Sequence, residues 1–145
     1  MRKVGDGRPL LLLNVDGPLN PYAAPPHKRP AGYSTHRMRP TGRKNEANDW
    51  IGGHLGLPTL PFVDWPSMTP HSNARLHWKT RALAAYAEGR PFAWVDDELG
   101  PEGREWVQRN HDAPALLHWV SPRLGLLSED FRALSEWAAE LEQAA

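Results

Sequence analysis

The chain reads as an α/β protein, a three-layer α/β/α arrangement around a mainly parallel sheet. Two observations predict this. Three short apolar runs, Leu10–Val15, Phe92–Val95 and Ala115–Val120, alternate with stretches of helical spacing, and strands alternating with helices imply a parallel sheet covered on both faces. Two of those runs also stop abruptly in polar residues, "NVDG" after the first and "DDE" after the second. Open parallel sheets bind ligands beyond the carboxyl ends of their strands. With 145 residues, and no internal repeat or long linker, the chain reads as a single domain able to bury a core.

Each element has its own signal. Leu10–Val15 is a continuous apolar run, the pattern of a strand buried on both faces. Residues 17–43 are rich in Pro and Gly, including "NPYAAPPHKRP", and read as an ordered loop or hairpin lying over a site. "NEANDWIGGHLG" has helical spacing weakened by its Gly pair. Leu60–Val63 reads as a short strand, limited by Pro61 to a sheet edge or a strand start. A helix is expected over Leu76–Glu88, stopped by Gly89 and Pro91. Then come the strand of "FAWVDDE", a helix over Pro101–Asn110 with Pro in its first turn, and the strand Ala115–Val120. The last helix opens at Ser128 as N-cap, with Glu129 and Asp130 behind it. Its apolar stripe is Phe131, Leu134, Trp137, Ala138 and Leu141.

Composition excludes several classes of function. Seventeen basic residues balance seventeen acidic ones, so there is no general electrostatic pull toward nucleic acid or a membrane surface. The apolar run behind Arg2 and Lys3 is too short and too polar for a signal peptide or a membrane span. A cytoplasmic location is the default. Without Cys there are no disulfides or thiolate metal sites. His27, His36 and His71 lie in Pro-rich loops without metal-ligand spacing, His77 lies beside the Lys helix, and His118 reads as a packed strand residue. The seven Trp read as core and loop-packing groups, among them Trp50, Trp78, Trp94, Trp119 and Trp137. One stretch departs from neutrality: Lys28, Arg29, Arg37, Arg39 and Arg43 make residues 28–43 locally basic, and Tyr22 and Tyr33 lie in the same loop. Such a stretch could steer a phosphorylated ligand or an RNA end. A solvated surface loop is the simpler account.

The polar strand tips carry the chemistry. Asn14 and Asp16 follow the first strand, and Asp96 and Asp97 end the second. If those strands are neighbours, three carboxylates and one amide meet at one edge. Oxygen-rich clusters of that kind suit Mg²⁺. Lys79, near the start of "HWKTRAL", would face the same edge and neutralise a phosphate or restrain a carboxylate.

"LLLNVDGPLNP", "HWKTRAL" and "FAWVDDE", in that order, resemble the haloacid dehalogenase (HAD) superfamily of phosphohydrolases, and in particular small HAD-like proteins of high-GC bacteria. The resemblance runs from about Leu10 to Trp137. It implies a Rossmann-like HAD fold, a Mg²⁺ cofactor and phosphoryl transfer to a carboxylate at position 14. It also implies Asp16 as general acid/base and as carbonyl ligand to the metal, Lys79 as holder of nucleophile and phosphoryl oxygens, and Asp96 and Asp97 as metal ligands. Gly17 would let the chain turn sharply off the strand. No large insert supplies a cap domain, so the site would be open.

Two departures stand against turnover. Position 14 is Asn, and a neutral carboxamide is a far poorer nucleophile than a carboxylate. The family's second motif strand, which ends in a Ser or Thr that bonds the phosphoryl group, has no counterpart between the Pro-rich loop and "NEANDW". Thr35 and Thr41 are the only threonines nearby, and neither follows an apolar run. The fold is therefore expected to be shortened by about one strand and one helix, with an edge of the first strand left bare. Either the Leu60–Val63 strand pairs there or a homodimer forms across it.

Overall fold

A computed structural model describes residues 7–25, 27–28, 48, 52, 55–63 and 79–145. The chain forms two compact units, one of Met1–Pro30 with Trp65–Ala145 and one of Ala31–Asp64.

The first unit is α/β. Its described elements are β1 (Leu10–Leu13), α1 (Thr80–Ala87), β2 (Phe92–Asp96), α2 (Pro101–Asn110), β3 (Ala115–Trp119) and α3 (Ser128–Ala144). The strands lie side by side in the order β1-β2-β3, and both pairings are parallel. The arrangement is compatible with a Rossmann-like sheet. No helix among the described residues is long and apolar enough to cross a membrane.

β2 is the centre of the core because it is paired on both edges. All five of its residues are buried, with Phe92, Trp94 and Val95 among the largest fully enclosed side chains. Each such aliphatic or aromatic group contributes about 1.5–3 kcal/mol through removal from water. β1 departs from expectation. Leu12 is buried, but Leu11 is 60% and Leu13 40% exposed, so the strand alternates instead of being buried on both faces. Among the described residues it pairs only with β2, and an edge strand with one covered face needs only every second side chain inside.

Beyond β2, Val95, Val120 and Leu126 form a buried cluster against which Leu19 and Leu134 pack. Leu134 brings α3 to the sheet, although no residue of α3 is fully buried. The N-cap of α3 is Leu127, one residue before the expected Ser128. Leucine has no side-chain acceptor, so Asp130 does the tying instead. Its carboxylate accepts the Leu127 N–H at 2.7 Å and bonds His118 Nε2 of β3 at 2.7 Å, joining helix start to sheet. α1 begins after Lys79 and ends at Glu88, which takes a left-handed conformation (φ 49°) just before Gly89 (φ 78°). Leu76–Trp78 lie outside the described residues.

In the second unit the strand expected over Leu60–Val63 is not formed; residues 57–63 are irregular. Pro58 and Pro61 each remove a ladder donor. Leu60 instead pairs with a side chain: Asn48 Nδ2 donates to its carbonyl at 2.9 Å, and its N–H donates to Asn48 Oδ1 at 2.7 Å. Leu60 is 47% and Phe62 50% exposed. Residues 29–47, including Thr35 and Thr41, and the greater part of "NEANDWIGGHLG" lie outside the described residues.

Candidate functional site at the carboxyl ends of β1 and β2

Register places the site. Leu13 is aligned with Val95, and the Asn14 N–H continues the ladder to the Val95 carbonyl at 3.0 Å. Asn14 is thereby set beside Asp96. On the other side the Val120 N–H donates to the Asp96 carbonyl at 3.1 Å. The chain then turns at Gly17, whose φ of +100° disfavours any side chain and whose added Cβ would lie 2.6 Å from Asp97 Cγ. The segment beyond is held over the strand ends by backbone bonds, Gly17 N–H to Asn20, Leu126 N–H to Pro18 and Ala23 N–H to Pro122. The described part of the Pro-rich loop lies at this edge; residues 29–43, with Arg29, Tyr33, Arg37, Arg39 and Arg43, lie outside the described residues. Lys28 is exposed.

Asp96 has no solvent exposure and accepts four donors. Its Oδ1 takes Asn14 Nδ2 at 3.2 Å and the Glu98 N–H at 3.1 Å, and its Oδ2 takes Trp94 Nε1 at 3.2 Å and Lys79 Nζ at 3.4 Å. Burying a carboxylate is costly unless it is paired and hydrogen-bonded, and these four donors meet that requirement. Lys79, at the N-cap of α1 and only 13% exposed, lies 3.4 Å from both Asp96 Oδ2 and Asn14 Oδ1. These distances exceed those of strong charge-assisted bonds, so the ammonium sits between two acceptors rather than on either.

The Asn14 carboxamide is held from both ends. Its oxygen faces Lys79. Its nitrogen lies 2.7 Å from the Asp16 carbonyl, 3.2 Å from Asp96 Oδ1 and 3.4 Å from Asp97 Oδ1. Two hydrogens serve three acceptors, so one goes to Asp16 and the other is shared by the two carboxylates. Reversing the amide would set its NH₂ against an ammonium and its oxygen against three oxygens, which fixes the orientation.

Asp97 is anchored by one group from the loop after β1 and one from β3. Tyr22 donates its hydroxyl to Asp97 Oδ2 at 2.6 Å, and Trp119 Nε1 donates to the Asp97 carbonyl at 2.8 Å. The bond to Asp97 pushes the Tyr22 phenol from its ordinary 10.0 up to about 12, with burial and the negative charges of Asp97, Glu98 and Asp16 acting in the same direction. A raised acid pKa means that the proton is bound more tightly in the folded state. The bond's contribution is therefore intact below about pH 10 and is lost as pH climbs through about 12. Asp16 is exposed, its Oδ1 accepting Asn20 Nδ2 at 3.2 Å.

Asn14, Asp16, Lys79, Asp96 and Asp97 are thus brought to one edge. Trp94, Trp119, Tyr22 and Asn20 join them and were not read from the sequence as site residues. For Trp94 a signal exists: residues two apart on a strand share a face, so "WVD" aims the indole and the Asp96 carboxylate the same way. Tyr22 has no comparable signal.

Carboxylates and carbonyls are the donors that Mg²⁺ takes, but here the Asn14 NH₂ already points at the Asp16 carbonyl, Asp96 and Asp97. A cation and amide hydrogens compete for the same lone pairs, so the donor set as arranged does not fit Mg²⁺. Among the described residues no group of three or more His, Asp or Glu is set to hold a metal ion. Chemically the tip is a hydrogen-bond network of three carboxylates, one ammonium and one amide. Comparison with family models, curated proteins and solved structures finds no match to this chain.

Proposed function

We propose that the chain is a HAD-type phosphotransfer fold whose covalent chemistry is silent. The observation that carries this reading is the position of Asn14: beside Asp96, against Lys79 and two residues before Asp16, where the resemblance puts the nucleophile. A carboxylate there would attack phosphorus as an anion, with Lys79 restraining it. An amide oxygen is neutral rather than anionic, and is a far poorer nucleophile. In this reading Lys79 is the phosphoryl-binding cation and Asp16 the proton carrier. A phosphorylated ligand is the class that such an edge would meet, through the Lys79 ammonium.

Hydrolysis of an aryl phosphate in the presence of Mg²⁺ tests this reading. Wild type is expected to run at the buffer background, and Asn14→Asp at least about tenfold above it, because the missing nucleophile is restored. Adding Asp16→Asn to Asn14→Asp is expected to return the rate to background. Wild-type turnover that survives Asp16→Asn contradicts the assignment.

A further inference from the structure

We propose that the Asn14 carboxamide occupies the place of a divalent cation, so that the strand tip is sealed from within. This rests on the phosphotransfer reading for the identity of the ion replaced, but its geometry stands independently of turnover. The three oxygens nearest Asn14 Nδ2 are a backbone carbonyl, Asp16 O at 2.7 Å, and two carboxylate oxygens, Asp96 Oδ1 at 3.2 Å and Asp97 Oδ1 at 3.4 Å. That is a hard-cation donor set gathered around a nitrogen. Mg²⁺ would need the same oxygens drawn in to about 2.0–2.1 Å. The amide instead gives them partial positive charge through its two hydrogens, at hydrogen-bond distances and without an ion to recruit.

The other half of the amide makes the arrangement one-way. Its oxygen lies toward Lys79 Nζ at 3.4 Å, so turning it to face a cation would set its NH₂ toward the ammonium. Asp97 is also held by Tyr22 at 2.6 Å, and Asp96 by Trp94 and Glu98. The carboxylates are therefore fixed around the amide from outside. One residue both removes the nucleophile and fills the metal's position, so metal entry is blocked. The tip becomes a structural junction of β1, β2 and the loop after β1.

The test is metal binding alone, by loss of the free Mn²⁺ electron-paramagnetic signal and by Mg²⁺-dependent shifts in melting temperature. Three full-length proteins are compared: wild type, Asn14→Ala and Asn14→Asp. Wild type is expected to show no binding at the tip, with its Asn14 side-chain amide resonances unmoved by Mg²⁺. Asn14→Ala removes the hydrogens and leaves the oxygens open, so it is expected to bind Mn²⁺ more tightly than wild type. Asn14→Asp adds a charged ligand, and its affinity is expected to rise by on the order of tenfold or more, since affinity follows ligand charge. Its melting point is expected to fall below wild type without metal and to recover in Mg²⁺. Wild-type binding at the tip overturns the proposal, as does a folded Asn14→Ala that binds no better than wild type. Metal binding as expected, with Asn14→Asp inert toward aryl phosphate, would instead remove the phosphotransfer reading and leave this one standing.

Discussion

Asp96→Ala is expected to lose about 3–5 kcal/mol of stability, the scale seen when one partner is removed from a buried charged network. At this chain length that is a fall on the order of 10 °C in Tm. The carboxylate has no exposed surface, and four donors from four different places converge on it: the Asn14 amide, the Glu98 N–H, the Trp94 indole and Lys79. Alanine deletes all four acceptances at a fully buried position at the end of the central strand, where water has little access to replace them. Asp96→Asn separates charge from shape. It keeps an oxygen for part of the network but presents an NH₂ to donors, and is expected to lose nearly as much as alanine. Thermal melting of the two variants beside wild type measures this. A loss below about 1 kcal/mol in both, the ordinary surface range, would show that the network is not a determinant of stability.

Gly17→Ala is the second large effect. At φ +100° a Cβ is strained, at a cost of about 1–3 kcal/mol. The same Cβ would also lie 2.6 Å from Asp97 Cγ and 2.7 Å from Asp97 Cβ. Because the Asp97 Cβ is involved, the clash is not confined to a flexible tip and the whole side chain has to leave. Its bond to Tyr22 goes with it. The variant therefore has a spectroscopic signature: the Tyr22 phenol, pushed up to about 12 by Asp97, is expected to titrate back toward 10. Tyrosinate absorbance against pH reads this directly. The chain has three Tyr, and Tyr22→Phe identifies which part of the wild-type curve belongs to residue 22. A Gly17→Ala curve that retains the high-titrating group would show that Asp97 is not displaced.

The alternation of apolar runs with helical spacing carried the β/α order of the first unit, and Pro101–Asn110 was legible to the residue because Pro at its start is a strong local signal. β1 was misread because four leucines in a row look alike whether a strand is central or at an edge. Burial depends on neighbours, and periodicity cannot report which neighbours are present. Leu60–Val63 failed as a strand because Pro61 removes a donor that a four-residue segment cannot spare, and Pro58 removes another just before it. The cap of α3 shifted by one residue since Asp130, drawn to His118, does the work that Ser128 was assigned. At the site, the residues at strand tips were legible because a parallel sheet gathers its carboxyl-end residues at one edge whatever the family. The groups holding them were not. Tyr22 reaches Asp97 across 75 positions of sequence, and no local pattern encodes a contact of that span.

We propose that position 14 is where a phosphoryl group would land and that the amide prevents it. Intact mass after brief exposure to aryl phosphate and Mg²⁺, quenched in acid, tests this most directly. A phosphoryl adduct is expected on Asn14→Asp, mapped to the peptide containing Leu10–Asn20, and none on wild type. A wild-type adduct, or an Asn14→Asp protein that hydrolyses the ester while carrying its adduct elsewhere, would contradict the account.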